Sequence, residues 1–155
     1  MNVKTIQHLN PIWRDKTDFI IGAKCNFKHS GFDEDWEQLW NRKISEFRFE
    51  ICWIPFFLYD ISLGDEVVTG KDFMITKVVK PSGHYTFRVW FGDSKVPNIR
   101  EIVLDEIIHI GCLFEWYSEN LLGIDCRKED AQKVADLLYE KENKGLFNYE
   151  TGKTI

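Results

Sequence analysis

Tyr85-Thr86-Phe87-Arg88-Val89-Trp90-Phe91 starts the stretch that decides the fold, because Tyr85, Phe87, Val89 and Phe91 recur at every second position as in a half-buried strand. The period changes after Val96-Pro97. Asn98 followed by Glu101 has the spacing of a capping box, and Ile99, Val103, Ile107 and Ile110 follow at helical spacing. Gly111 stands where a helix takes its C-terminal glycine. Cys112 to Trp116 and Leu121 to Cys126 read as two strands around Ser118-Glu119-Asn120. Glu129 to Asn143 reads as a second helix, with Ala131, Val134, Ala135, Leu137 and Leu138 along one side and Gly145 closing it. Leu146 to Tyr149 is a last short strand. The order strand, helix, strand, strand, helix, strand is that of the ferredoxin-like βαββαβ unit.

Upstream, the elements are all strands. Lys16 to Lys28 alternates after Gly22, Trp36 to Ile44 alternates across Glu37 and Leu39, and Phe47, Phe49, Ile51 and Trp53 alternate strictly. Pro55 ends that strand or places it at an edge. Turns at Leu63-Gly64-Asp65, Gly70-Lys71-Asp72 and Pro81-Ser82-Gly83 separate short strands at intervals of about ten residues. The expectation is an α+β chain: an extension over 1–16, a strongly bent antiparallel sheet or small β-barrel within 17–80, and the ferredoxin-like unit within 81–155. No Gly/Ser/Pro linker divides them, so the halves should share an apolar interface.

The chain has 155 residues, enough to bury about two-thirds of its unfolded surface without metal or disulfide support. Aromatics make up 15%, enough apolar area to exclude a disordered chain. The net charge of -5 is unevenly placed. Residues 1–92 hold 12 acidic and 12 basic groups, and residues 93–155 hold 13 and 8, so the whole excess lies in the last part. Such a surface repels nucleic acid and attracts basic partners, although solubility alone is the plainer reading.

Cys25, Cys52, Cys112 and Cys126 form no C-x-x-C pair and lie in or beside apolar runs, as reduced thiols of a cytoplasmic protein do. Met1 to Asn10 lacks the apolar core of a signal peptide. The longest apolar stretch, Ile51 to Leu58, contains Pro55 and falls far short of the roughly 20 residues of a membrane helix.

Signs of chemistry are sparse. Neither G-x-G-x-x-G, G-x-x-x-x-G-K nor G-x-S-x-G occurs, and no D-x-D-x-D loop is present, so no cofactor or metal is expected. His84 lies between Ser82 and Arg88, and these three polar groups could line a small-ligand or acid–base site between the halves. A turn with a polar tip is the competing reading. Asp33-Glu34-Asp35 is a tight acidic run suited to a basic partner or to plain solvation.

Glu37-Gln38-Leu39-Trp40, Ile54-Pro55-Phe56-Phe57 with Leu63-Gly64-Asp65, Ser82-Gly83-His84 with Arg88, and the Phe147-Asn148-Tyr149-Glu150 tail resemble the bacterial domain-of-unknown-function family numbered 4265. The family has no established catalytic residues to carry over. The C-terminal half resembles the ribonuclease-inhibitor B type of ferredoxin-like domain, which acts by binding a protein. Small acidic relatives of such families are often immunity proteins, for instance in contact-dependent growth inhibition. The resemblance therefore implies a non-catalytic cytoplasmic protein that occludes a cognate basic toxin, a nuclease being the expected class, with no direct contact to nucleic acid or membrane. On charge density, Glu115, Glu119, Asp125, Glu129 and Asp130 would form the contact, with Asp33, Glu34 and Asp35 in support. The alternative is a ligand-binding protein or enzyme using Ser82, His84 and Arg88.

Overall fold

A computed structural model describes residues 5–7, 11–24, 36–92 and 94–153. Six strands form the first sheet: β1 (Thr5–Ile6), β2 (Phe19–Lys24), β3 (Trp36–Ser45), β4 (Arg48–Ile51), β5 (Glu66–Thr69) and β6 (Ile75–Lys80). Their order is β1-β3-β4-β5-β6, with β2 also on β3. The neighbours are antiparallel except β1, which runs parallel to β3. Thus residues expected as an extension contribute a strand. The sheet curls until Gly22 of β2 meets Met74 in a single bridge, its N–H reaching the Phe73 carbonyl at 3.0 Å. One bridge is not a ladder, so the bent sheet is found and the closed barrel is not.

The alternation of β4 is realised, with Phe49 and Ile51 fully buried. In β3 the buried face is Glu37, Leu39 and Asn41, while Trp36, Gln38 and Trp40 are half-buried. Two polar residues thus occupy the inward face of a strand, and Asn41 Nδ2 donates to the Leu39 carbonyl at 2.6 Å.

The second unit comprises β7 (Tyr85–Trp90), α1 (Ile99–Ile110), β8 (Leu113–Ser118), β9 (Leu121–Cys126), α2 (Ala131–Asn143) and β10 (Asn148–Thr151). Sheet order is β10-β7-β9-β8, antiparallel throughout, which is the ferredoxin-like arrangement. Phe87, Val89, Leu122 and Ile124 pack beneath Val103, Ile107, Val134 and Leu138 of the helices. Gly111 takes φ 103° and returns its N–H to the carbonyls of Ile107 and Ile108, as its position at the end of the helical pattern indicated. The capping box does not form. Asn98 is left-handed at φ 59°, and its side chain makes no cap hydrogen bond. Glu129 and Asp130, expected within the second helix, belong instead to a 3-10 turn (Lys128–Asp130) leading into α2.

The other face of this second sheet is also covered. All six residues of β9 are buried, which a half-buried strand would not show. The covering element is the irregular segment from Cys52 to Ser62, which has no periodicity to announce it. Trp53, Phe56 and Leu58 join the first sheet's core, and that core reaches Leu121 and Tyr117 of the second unit. Phe57 meets the Tyr117 ring edge to face at 5.0 Å.

Candidate functional site

An irregular segment buried between two sheets must find partners for its backbone groups, because an unpaired buried N–H or C=O costs about 1–3 kcal/mol. The polar residues of the sequence supply them. Ile54 N–H donates to Glu115 Oε2 at 2.6 Å. Phe56 and Phe57 N–H donate to the two oxygens of Glu37, at 2.8 and 3.2 Å. On the opposite side, Arg88 Nη1 donates to the carbonyls of Leu58 (2.8 Å) and Pro55 (3.3 Å). Its Nε donates to Glu150 Oε1 at 2.7 Å, and its guanidinium lies 4.7 Å from the Tyr59 ring centre. Tyr59 closes the loop by donating to Glu150 Oε2 at 2.6 Å. Glu115, Gly123, Arg88 and Glu150 lie opposite one another across the four strands. A Cβ on Gly123 would stand 3.0 Å from Ile54 and 3.3 Å from Phe56, so only glycine lets the segment lie this close.

A second cluster joins the two turns that resembled family motifs. Asp65 accepts the N–H groups of Ser62 (2.9 Å) and Ser82 (2.7 Å), one on each oxygen. Ser82 Oγ donates to the Leu63 carbonyl at 2.7 Å and accepts the His84 N–H at 3.1 Å. His84 Nδ1 lies 2.7 Å from Asp125 Oδ2. Asp125 is buried, its Oδ1 has no hydrogen-bond partner, and burial pushes its carboxyl up to about 7 against the opposing pull of His84.

This geometry corrects two expectations. Ser82 and His84 share a turn, but the Ser82 hydroxyl is committed to the backbone, and Arg88 holds a different set of partners around Glu150. The three do not converge on one ligand. The acidic face fares similarly. Glu115, Asp125 and Asp130 are buried, each on an internal hydrogen bond; Asp130 accepts from Arg127 at 2.9 Å. Only Glu119 and Glu129 of that set are exposed. Across residues 94–153, seven exposed carboxylates stand beside six exposed Lys and Arg side chains, so the charge excess is largely an interior matter. Asp33, Glu34 and Asp35 lie outside the described residues.

Two residues that sequence reasoning left aside complete the picture. The sequence pattern places Asp65 in a turn and Glu37 on the Leu39 side of a strand, both within stretches that resemble the family. A carboxylate on an inward strand position was the available signal for Glu37. Trp90, on the opposite face of β7 from Phe87 and Val89, is 47% exposed. It sits beside the β8–β9 turn: Phe91 N–H donates to the Asn120 carbonyl at 2.8 Å, and Arg100 reaches the Glu119 carbonyl at 2.7 Å.

Cys52, Cys112 and Cys126 are free thiols; Cys25 lies outside the described residues. Among the described residues no three His, Cys, Asp or Glu side chains are grouped to hold a metal ion, and no helix is long and apolar enough to cross a membrane.

The family model described as Domain of unknown function (DUF4265) matches residues 37–149. A solved structure described as a novel crystal structure of a hypothetical protein from Neisseria gonorrhoeae is similar at a TM-score of 0.72 and 17% identity, covering 88% of this chain and 96% of that one. At that identity the likeness concerns the fold. No curated protein matches the chain.

Proposed function

The chain belongs to the DUF4265 family, a membership that assigns no chemistry, and from it we propose a non-catalytic role: an immunity protein that binds a cognate toxin. The observation that carries this reading is Trp90, half-exposed at the end of β7, where it pairs with Leu121 at the start of β9. A tryptophan held by a paired strand loses little entropy on binding, and such residues dominate the energetics of protein interfaces. Support also comes from the charged side chains that could do acid–base work. Glu37, Glu115 and Arg88 bind backbone of the covering segment. A basic toxin of the nuclease class suits Glu119, an exposed carboxylate in the β8–β9 turn next to the strand that pairs with Trp90.

Co-expression with the product of the adjacent gene tests the proposal. Protection of growth and a purified complex are expected. Trp90→Ala should weaken that complex at least about tenfold, the loss of about 1.4 kcal/mol, while leaving the unfolding curve in place. Glu119→Lys should slow association at low salt. Absence of both complex and protection would overturn the role. A complex indifferent to Trp90→Ala would move the contact surface elsewhere.

A further inference from the structure

Two thiols face each other at the base of the β8–β9 hairpin. Leu113 pairs with Asp125, so one step outward Cys112 stands opposite Cys126. Both side chains belong to the core beneath the helices, and therefore point to one face of the sheet. Residues directly opposite in an antiparallel pair have Cα atoms about 4.5–5.5 Å apart. A disulfide needs about 4.4–6.8 Å, so the backbone already stands where a bridge requires it.

We propose that Cys112 and Cys126 form a dithiol that exchanges with small disulfides of the glutathione class to give an intramolecular bridge across the hairpin base. The thiolate of Cys112 attacks one sulfur of the small disulfide, and the other half leaves as a thiolate. Cys112 then carries a mixed disulfide. Cys126 gives up its proton and attacks the Cys112 sulfur, and the second small thiolate leaves. The protein pair loses two electrons and two protons, and one small disulfide becomes two thiols.

The roles follow from the surroundings. Cys112 adjoins the exposed Gly111 and is 7% exposed, against 2% for Cys126, so local opening at the end of α1 uncovers it first. Interaction between the paired thiols holds that of Cys112 below its ordinary range and raises that of Cys126, which favours Cys112 as the attacking sulfur. Cys52 lies in the other unit, where burial pushes its thiol up to about 11.

The test uses the full native chain equilibrated in glutathione buffers from fully reduced to fully oxidised. Samples are quenched in acid, unfolded, labelled at free thiols and mapped by peptide, so that a link through Cys25 is distinguished. The expected result is near-complete, joint loss of label at Cys112 and Cys126, a linked peptide pair, and retained label at Cys52. Cys126→Ser should stop at a mixed disulfide on Cys112. The wild-type map decides the matter even if that variant fails to fold. Full labelling of both thiols in the most oxidising buffer would overturn the proposal. So would a bridge that forms only when denaturant is present.

Discussion

Asp125 carries one hydrogen bond where a buried carboxylate ordinarily takes several. The consequence is a pH dependence of definite sign. Its folded-state carboxyl is raised from an ordinary 3.8 to about 7, chiefly by burial. Between those values the folded chain holds a proton that the unfolded chain has released. Stability from this group is therefore complete below about pH 4 and lost as pH rises towards about pH 7. The amount is on the order of a few kcal/mol at about 1.36 kcal/mol per pH unit. Asp125→Asn keeps an acceptor for His84 and removes the titration. Urea unfolding from about pH 4 to about pH 8 should show a wild-type decline that the variant lacks, with the variant at least as stable at the alkaline end. Equal slopes for the two proteins would overturn this account. The burial of Asp125 and Glu115 was partly legible, since both sit inside apolar runs, Leu121 to Cys126 and Cys112 to Trp116. Charge density ranked them as surface groups because local sequence does not show that a second layer covers the strand.

At the scale of elements, the second helix entry separates pattern from conformation. Asn98 and Glu101 have capping-box spacing, but Asn98 adopts φ 59° and its side chain makes no cap hydrogen bond. A residue that caps should be costly to replace by alanine. A residue strained in the left-handed region should instead welcome glycine. Asn98→Gly should leave stability unchanged or raise it by up to about 1 kcal/mol, read as a rise in the urea midpoint at constant slope. A loss of about 1 kcal/mol would restore the capping role. The helices and strands of residues 85–151 were legible because each period is local, and so was the glycine that ends α1, at φ 103°. The segment from Cys52 to Ser62 was not. Its residues are apolar without period, so nothing in them distinguishes a connector from the wedge between two sheets.

For the molecule as a whole, that wedge decides whether the halves can stand apart. The second sheet has helices on one face, and on the other it has Thr86, Arg88, Glu115 and Asp125 around Gly123, all buried. Without the first unit this face would present the Glu115 carboxylate and the Arg88 Nη1 group deprived of their backbone partners. Leu121 and Tyr117 would also be exposed to water. Trp53, Ile54, Phe56 and Leu58 are each buried, and each contributes roughly 1.5–3 kcal/mol before the cost of ordering the segment is subtracted. Four such side chains match the roughly 5–15 kcal/mol by which a domain is stable at all. The ferredoxin-like topology is therefore complete in residues 85–151, but its stability is not. We expect the full chain to unfold in one transition, with tryptophan fluorescence and far-UV circular dichroism coincident. A fragment of residues 81–155 should keep helical signal, bind an apolar dye and lack a cooperative urea transition. A fragment with a sharp transition of its own would show that Glu115 and Arg88 find other partners once the wedge is removed, and that the two units fold independently.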